Sequence, residues 1–167
     1  VPVGSCLSGG LDSSSIVCAM NDLLRRDGVQ ERQHAFSSCS AIPRFDEREY
    51  VEEVVRHTGV EAHYVYPDLG CLFDQLDRIT WHQDEPFGST SIFAQWSVFA
   101  LAAESGVKVM LDGQGADEQL AGYQGYHGAL YANLFRQLRW LELWREIRAA
   151  RQVHGYGPLW AVKYLAD

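Results

Sequence analysis

Apolar runs alternate with amphipathic stretches along the first two thirds of the chain. Short apolar runs bounded by polar or glycine residues predict strands over 1–7, 34–39, 62–66 and 107–111. Apolar residues at helical spacing predict helices over 13–27, 46–58, 69–82 and 91–104. Strands that alternate with helices are typical of a parallel sheet covered on both faces. The pattern therefore predicts an α/β, doubly wound fold.

The last third of the chain has a helical pattern throughout. A short helix is expected over 116–120 and a long one over 128–152. Gly155 and the pair Gly157 and Pro158 should end the long helix, and a further helix should begin over 159–165. Trp140 and Trp144 are spaced i, i+4 and are expected in a core or an interface.

The segment between the first predicted strand and the first predicted helix indicates a site for an anion. Adjacent glycines let the backbone approach a ligand closely. Serine hydroxyls and unpaired N–H groups converge there at a helix N-terminus, which carries a partial positive charge. A phosphate chain suits such a site, and the candidate binding residues are Leu7, Ser8, Gly9, Gly10, Leu11, Asp12, Ser13 and Ser14.

Asp12 makes this segment different from the common phosphate-binding loops. It matches neither G-x-x-x-x-G-K-[ST] nor G-x-G-x-x-G, and the first lysine of the chain is Lys108. A carboxylate beside phosphates repels them unless a cation lies between, so Asp12 predicts Mg²⁺. The alternative interpretation is a serine-capped helix that follows a glycine turn.

A second distinctive segment follows the fourth predicted strand. It reads D-G-Q-G-A-D-E over 112–118 and is followed by Gly122 and Tyr123. The first segment, S-G-G-L-D-S-S over 8–14, resembles the pyrophosphate loop of the ATP pyrophosphatase superfamily. The second resembles the second motif of the asparagine synthetase synthetase domain, and the strings F-D-E over 45–47 and D-E-P-F over 84–87 are similar to that family too. The likeness extends from residue 1 to about residue 126.

The resemblance implies an amide-forming ligase that uses ATP and Mg²⁺. A carboxylate, with aspartate favoured, would be adenylated with release of pyrophosphate, and ammonia would then displace AMP. Asp12 and Asp117 would hold the metal from two sides, and Gln114 stands where relatives carry an acid expected to assist amide formation. The residues expected beside the adenosine are Ser38, Asp112 and Gly113. The residues in the region where relatives recognise the carboxylate are Ser89, Thr90 and Ser91, which can equally cap the following helix.

Two departures from the family pattern keep other functions open. Gln114 cannot take a proton, and Asp112 replaces a common serine. A paralogue that amidates another carboxylate and a nucleotide-binding module without turnover are therefore alternatives. The resemblance also implies a glutaminase domain that supplies ammonia, which this sequence lacks. We therefore expect a truncated single synthetase domain over 1–167 with little activity alone.

The bulk composition excludes several classes of function. A net charge of −8 argues against a nucleic-acid-binding or membrane-surface role, because both favour basic faces. No apolar run is long enough to span a bilayer, and nothing resembles a secretory signal. A cytoplasmic protein is expected, and a homodimer is left open.

The cysteines and histidines give no metal signal by their spacing. The four cysteines form no C-x-x-C pair and are expected to be buried and reduced: Cys6, Cys18, Cys39 and Cys71. The histidines within or beside regular elements are expected to be structural: His34, His57 and His63.

Overall fold

Four short strands form one parallel sheet in the order β3-β2-β1-β4. They are β1 (Val3–Cys6), β2 (His34–Ser38), β3 (Glu61–Val65) and β4 (Val109–Leu111). The structure is a computed structural model that describes residues 1–29 and 32–155. All four predicted strands are present, and the predicted helix over 159–165 lies outside the described residues.

Seven α-helices occur in the described part of the chain. They are α1 (Leu11–Arg26), α2 (Arg48–Thr58), α3 (Leu72–Gln83), α4 (Thr90–Glu104), α5 (Ala116–Leu120), α6 (Gly125–Arg136) and α7 (Trp140–His154). The chain divides into two units, Val1–Gly113 and Gln114–Asp167. The sheet and α1–α4 belong to the first unit, and α5–α7 belong to the second. A single synthetase domain over 1–167 stays a prediction.

Helices cover both faces of the sheet. Neighbouring residues of a strand point to opposite faces, and Ala35 and Phe36 of β2 each lie in a different core. The core around Ala35 contains residues of α1 and α2, namely Val17 and Val51, together with Leu7, Val60 and partly buried neighbours. The core around Phe36 contains Val98 and Ala102 of α4, together with Val107. The doubly wound α/β fold predicted from the sequence is therefore confirmed.

The long helix predicted over 128–152 is wrong, because α6 and α7 are separate helices. Leu138, between them, has a left-handed backbone with φ of 57°. No glycine or proline marks this break, and leucine seldom adopts that conformation. The two helices pack through a small core of Tyr131, Leu134 and Leu143, with Ile147 beside it.

Burial differs in part from the sequence-based expectations. Trp140 and Trp144 are 48% and 59% exposed, so neither lies in the core of its own unit, and the interface alternative stays a prediction. All four cysteines are free thiols, but only Cys39 is buried, whereas Cys6 and Cys18 are half-buried and Cys71 is exposed. Within residues 1–29 and 32–155, every helix is too short or too polar to cross a bilayer.

Candidate phosphate-binding site

The loop after β1 lies at the point where the strand order reverses. From β1 the chain crosses to β2 on one side, whereas β4 pairs with β1 on the other side. In open parallel sheets, ligands bind at such a point, outside the carboxyl ends of the strands. The loop from Leu7 to Ser14 leaves β1 at this edge, and Asp112 and Gly113 follow β4 at the same edge.

A closed set of hydrogen bonds fixes the shape of this loop. The Ser13 hydroxyl lies 3.0 Å from the Ser8 hydroxyl and accepts the Ser8 N–H at 3.2 Å. It also lies 3.2 Å from the Gly10 carbonyl, to which it can donate. The Gly10 N–H donates to the Ser8 hydroxyl at 3.3 Å. Ser8 and Ser13 therefore brace the two ends of the loop against each other.

Gly9 is required by both its backbone conformation and its surroundings. Its φ of 81° is left-handed, a conformation that glycine adopts without steric cost. A Cβ at this position would lie 2.5 Å from the Tyr50 Cβ and 3.0 Å from the Tyr50 carbonyl carbon. The first turn of α2 therefore packs directly on the loop, and any side chain at residue 9 would displace it.

Polar groups at the start of α1 fit a phosphate. The first N–H of the helix to meet an intrahelical carbonyl is that of Ser14, which donates to the Gly10 carbonyl at 3.0 Å. The N–H groups of Leu11, Asp12 and Ser13 precede it and have no intrahelical acceptor. The Ser14 hydroxyl oxygen is buried and has no hydrogen-bond partner among the described residues. A buried polar atom without a partner costs stability unless a ligand or water satisfies it.

The second segment meets the loop through its first glycine. A Cβ on Gly113 would lie 3.1 Å from the Asp12 Cβ and 3.2 Å from the Ser13 nitrogen. The backbone after β4 therefore passes closely over the first turn of α1. Burial and, secondarily, the Asp112 carboxylate raise the pKa of the Cys6 thiol in β1 to about 11. Gly113 therefore contacts the loop after β1, and the place of Asp112 and Gly113 beside the adenosine stays a prediction.

The end of β2 offers one polar side chain to this edge. The Ser37 hydroxyl is buried and donates to the Leu7 carbonyl at 2.6 Å, so it holds the loop to β2. Ser38 is exposed at the carboxyl end of β2. Of these two serines, Ser38 is the one open to solvent, and its place near the adenosine stays a prediction.

Asp117 packs against Gly122 within the second unit. A Cβ on Gly122 would lie 1.9 Å from the Asp117 Oδ1, so the carboxylate occupies the place of a side chain there. The Gly122 N–H donates to the Asp117 carbonyl at 2.9 Å. Tyr123 donates its hydroxyl to the Glu118 carboxylate at 2.9 Å. Gly122 and Tyr123 therefore fix the positions of Asp117 and Glu118, respectively.

Asp12 and Asp117 lie in different units, so their joint hold on one metal ion stays a prediction. Each is half-buried near the start of a helix, α1 or α5. Gln114 is exposed just before α5. Carboxylate oxygens are the ligands that Mg²⁺ prefers, so the chemistry of both side chains fits that ion.

The proposed carboxylate-recognition residues have a structural role in this structure. The Ser89 hydroxyl caps α4 by accepting the Ser91 N–H at 3.2 Å. The Ser89 and Ser91 hydroxyls lie 2.7 Å apart, within hydrogen-bond distance. Thr90 is the exposed first residue of α4. The capping alternative is therefore realised at Ser89 and Ser91.

Sequence reasoning missed the roles of Tyr50 and Arg48. Tyr50 packs against Gly9, a contact that no local sequence motif indicates. Arg48 donates from Nε to the Asp46 carboxylate at 2.8 Å and from Nη1 to the Tyr66 hydroxyl at 2.8 Å. The hydrogen bond from Arg48 lowers the pKa of the Asp46 carboxyl. Arg48 therefore anchors the start of α2 rather than presenting its guanidinium to a substrate carboxylate.

The fold and the loop together define a class of protein. A parallel α/β sheet carries a glycine–serine loop at its switch point, with an aspartate where most phosphate loops place lysine. This is the arrangement of an ATP pyrophosphatase-type synthetase domain.

Comparisons with known proteins give the family. The family model described as asparagine synthase matches residues 1–166. A putative glutamine-hydrolyzing asparagine synthetase 2 of Methanocaldococcus jannaschii is 33% identical over 138 residues, which are 83% of this chain and 26% of that protein. Asparagine synthetase B of Escherichia coli is 28% identical over 179 residues, 99% of this chain and 32% of that protein. An amidase of Penicillium rubens, chyE, is 30% identical over 78% of this chain and 21% of that protein.

The chain belongs to the asparagine synthase family. It spans between about a fifth and a third of the length of these three relatives.

Proposed function

We propose that this chain is the ATP-binding, carboxylate-activating part of an amide-forming ligase, with aspartate as the favoured substrate. One observation carries the proposal: the loop at the switch point combines a left-handed Gly9 with the buried, unpartnered hydroxyl of Ser14 at the start of α1. Such a loop suits a phosphate chain. Family membership supports ATP as the source of those phosphates.

The phosphates would lie against the first turn of α1. The N–H groups of Leu11, Asp12 and Ser13 would donate to phosphate oxygens, and the Ser14 hydroxyl would gain the partner that it lacks. Because neither glycine carries a side chain, Gly9 lets α2 pack on the loop and Gly113 lets the backbone after β4 approach the first turn of α1. Ser8 and Ser13 would keep the loop in shape through their mutual hydrogen bonds.

Asp12 and Asp117 would hold Mg²⁺. When bound, this ion would neutralise charge on the departing pyrophosphate. The fixed place of Asp117 against Gly122 supports this role, because a metal ligand must be held in one position. Glu118, which accepts the Tyr123 hydroxyl, would support the turn rather than the metal.

The reaction would proceed in two steps. A substrate carboxylate oxygen attacks the α-phosphorus of ATP, and the bond to the pyrophosphate breaks in line. Ammonia then attacks the acyl carbon, and AMP leaves with the bonding electron pair to give the amide. The chain would serve this chemistry by positioning the reactants and excluding water. Ammonia would come from a glutaminase domain, as the names of the glutamine-hydrolyzing relatives suggest.

A second candidate function is nucleotide binding without turnover. Gln114 favours it, because an amide side chain cannot accept or supply the proton that the acid of relatives is expected to handle. On this alternative, ATP binds at the same loop and no acyl-adenylate forms. A further alternative is a paralogue that uses the same chemistry to amidate a carboxylate other than aspartate.

Exchange of labelled pyrophosphate into ATP by the complete protein separates these functions. We expect exchange that requires Mg²⁺ and a carboxylate, with aspartate as the best of a panel of small acids. Asp12→Asn should abolish exchange, whereas Asp22→Asn, an exposed aspartate of the same helix, should leave it unchanged. ATP binding with no exchange for any acid would favour the second function. Absence of both binding and exchange would contradict the proposal.

A further inference from the structure

We propose that His34, Glu61 and His63 form a binding site for a divalent first-row transition metal, which we take to be zinc. The site lies on β2 and β3, two strands that run side by side. His34 and Glu61 are the first residues of their strands. The site therefore lies toward the amino edge of the sheet, opposite the edge that carries the phosphate loop, and does not depend on the proposed ligase function.

Strand register brings the three side chains together. His34 pairs with Glu61, and Phe36 pairs with His63, in the parallel β2–β3 ladder. Residues two apart on a strand point to the same face, so His34, Glu61 and His63 share one face of the sheet. The two histidines are 29 residues apart in the chain, so their sequence spacing gives no sign of the site.

The distances between donor atoms suit a shared ion. The His34 Nδ1 lies 2.9 Å from the His63 Nε2, and the Glu61 Oε1 lies 3.7 Å from that same Nε2. One donor atom from each residue lies within 4.8 Å of the other two. Two nitrogens bound to tetrahedral zinc at about 2.0–2.1 Å are about 3.3 Å apart. Small side-chain adjustments would therefore replace the histidine–histidine hydrogen bond with two metal–nitrogen bonds.

The surroundings hold the ligands and leave a way in. The Phe36 ring stacks on His63 with centroids 4.7 Å apart, which fixes the plane of the imidazole. The side chains of His63 and Glu61 are 22% and 48% exposed, so an ion can enter from solvent. His34 and Glu61 also line a cavity of about 490 Å³, which has room for water as a further ligand.

The set of donors selects the kind of metal. Two imidazoles and a carboxylate are typical protein ligands of zinc at sites with an open position. Mg²⁺ instead takes oxygen ligands and suits the carboxylates at the other edge of the sheet. Zinc at this site would tie β3 to β2, and we expect it to raise the thermal stability of the chain.

Zinc binding by the full chain tests the proposal. The protein is stripped with a chelator and titrated with zinc ion alone, in competition with a chromophoric chelator. We expect one zinc per chain, and at least about tenfold weaker binding in His63→Ala and in Glu61→Gln, because each loses a ligand. X-ray absorption at the zinc edge should show imidazole ligands. Glu61 is half-exposed, so its variant keeps the test valid if the histidine variant fails to fold.

Two matched controls guard against adventitious binding. His57→Ala removes an exposed histidine of α2, and Cys71→Ser removes the exposed thiol. Both should bind zinc as the unaltered chain does. The proposal is overturned if the unaltered chain binds no zinc, if a control variant loses the binding, or if both ligand variants retain full affinity.

Discussion

The most specific structural claim concerns Gly9, and replacing it with alanine tests that claim. The left-handed φ of 81° would cost an alanine about 1 kcal/mol. The new Cβ would also lie 2.5 Å from the Tyr50 Cβ, and overpacking of this kind costs about 1–3 kcal/mol. Together these terms predict a loss of about 2–4 kcal/mol in the free energy of unfolding.

Gly59→Ala separates backbone strain from the clash. Gly59 has a φ of 74°, yet nothing lies within 4 Å of the Cβ that alanine would add there. This variant should lose only the conformational term of about 1 kcal/mol. A loss of 1 kcal/mol lowers the Tm by about 2–4 °C for a chain of this size. Gly9→Ala should therefore lower the Tm by clearly more than Gly59→Ala.

The affinity for ATP is a second measurement that should distinguish Gly9→Ala from Gly59→Ala. Because alanine at residue 9 must push α2 or the loop aside, the N–H groups that face the phosphates should shift. We expect ATP to bind the Gly9→Ala variant at least about tenfold more weakly, since one hydrogen bond to a charged group contributes about 1.5–3 kcal/mol. Gly59→Ala should bind ATP normally in the same calorimetric titration. Equal Tm losses for the two variants, together with normal ATP affinity in Gly9→Ala, would refute the reasoning.

Three further predictions follow from single contacts. In Gly122→Ala, the new Cβ would lie 1.9 Å from the Asp117 Oδ1, so the carboxylate should be displaced and pyrophosphate exchange should be abolished. Gly125→Ala adds a Cβ in open space and should leave the exchange unchanged. Ser89→Ala should lower the free energy of unfolding by about 1 kcal/mol, because α4 loses its cap, and should leave the KM for the carboxylate unchanged. A raised KM without any loss of stability would instead indicate that Ser89 binds the substrate. Burial raises the pKa of Cys6 from 9.0 to about 11, so stability should fall as the pH rises through that interval, and less steeply in Cys6→Ala when followed by urea unfolding.

The sequence was sufficient to predict the strands and the glycine turn after β1 because both depend on local patterns. Buried strands appear as short apolar runs, and the loop shows its glycines and serines in seven consecutive residues. The start of α1 differed by two residues because Gly10 is extended, with ψ of 163°, and the helix begins directly after it. Hydrophobic periodicity locates a helix better than it locates the helix end.

Other features depend on packing between distant parts of the chain. Tyr50 meets Gly9 only because α2 packs on α1, and no motif at either residue indicates this contact. The break at Leu138 needs a left-handed leucine that propensity disfavours, so tertiary packing must stabilise it. His34 and His63 become neighbours through the β2–β3 register, which the sequence pattern leaves undetermined.

The central claim is that two distant turns hold one magnesium–ATP complex, and a crystal structure of the complete protein with a non-hydrolysable ATP analogue and Mg²⁺ tests it most directly. We predict phosphate oxygens within hydrogen-bond distance of the Ser14 hydroxyl and one Mg²⁺ about 2.0–2.1 Å from carboxylate oxygens of both Asp12 and Asp117. A nucleotide bound elsewhere, or the two carboxylates turned toward separate clefts, would contradict the account.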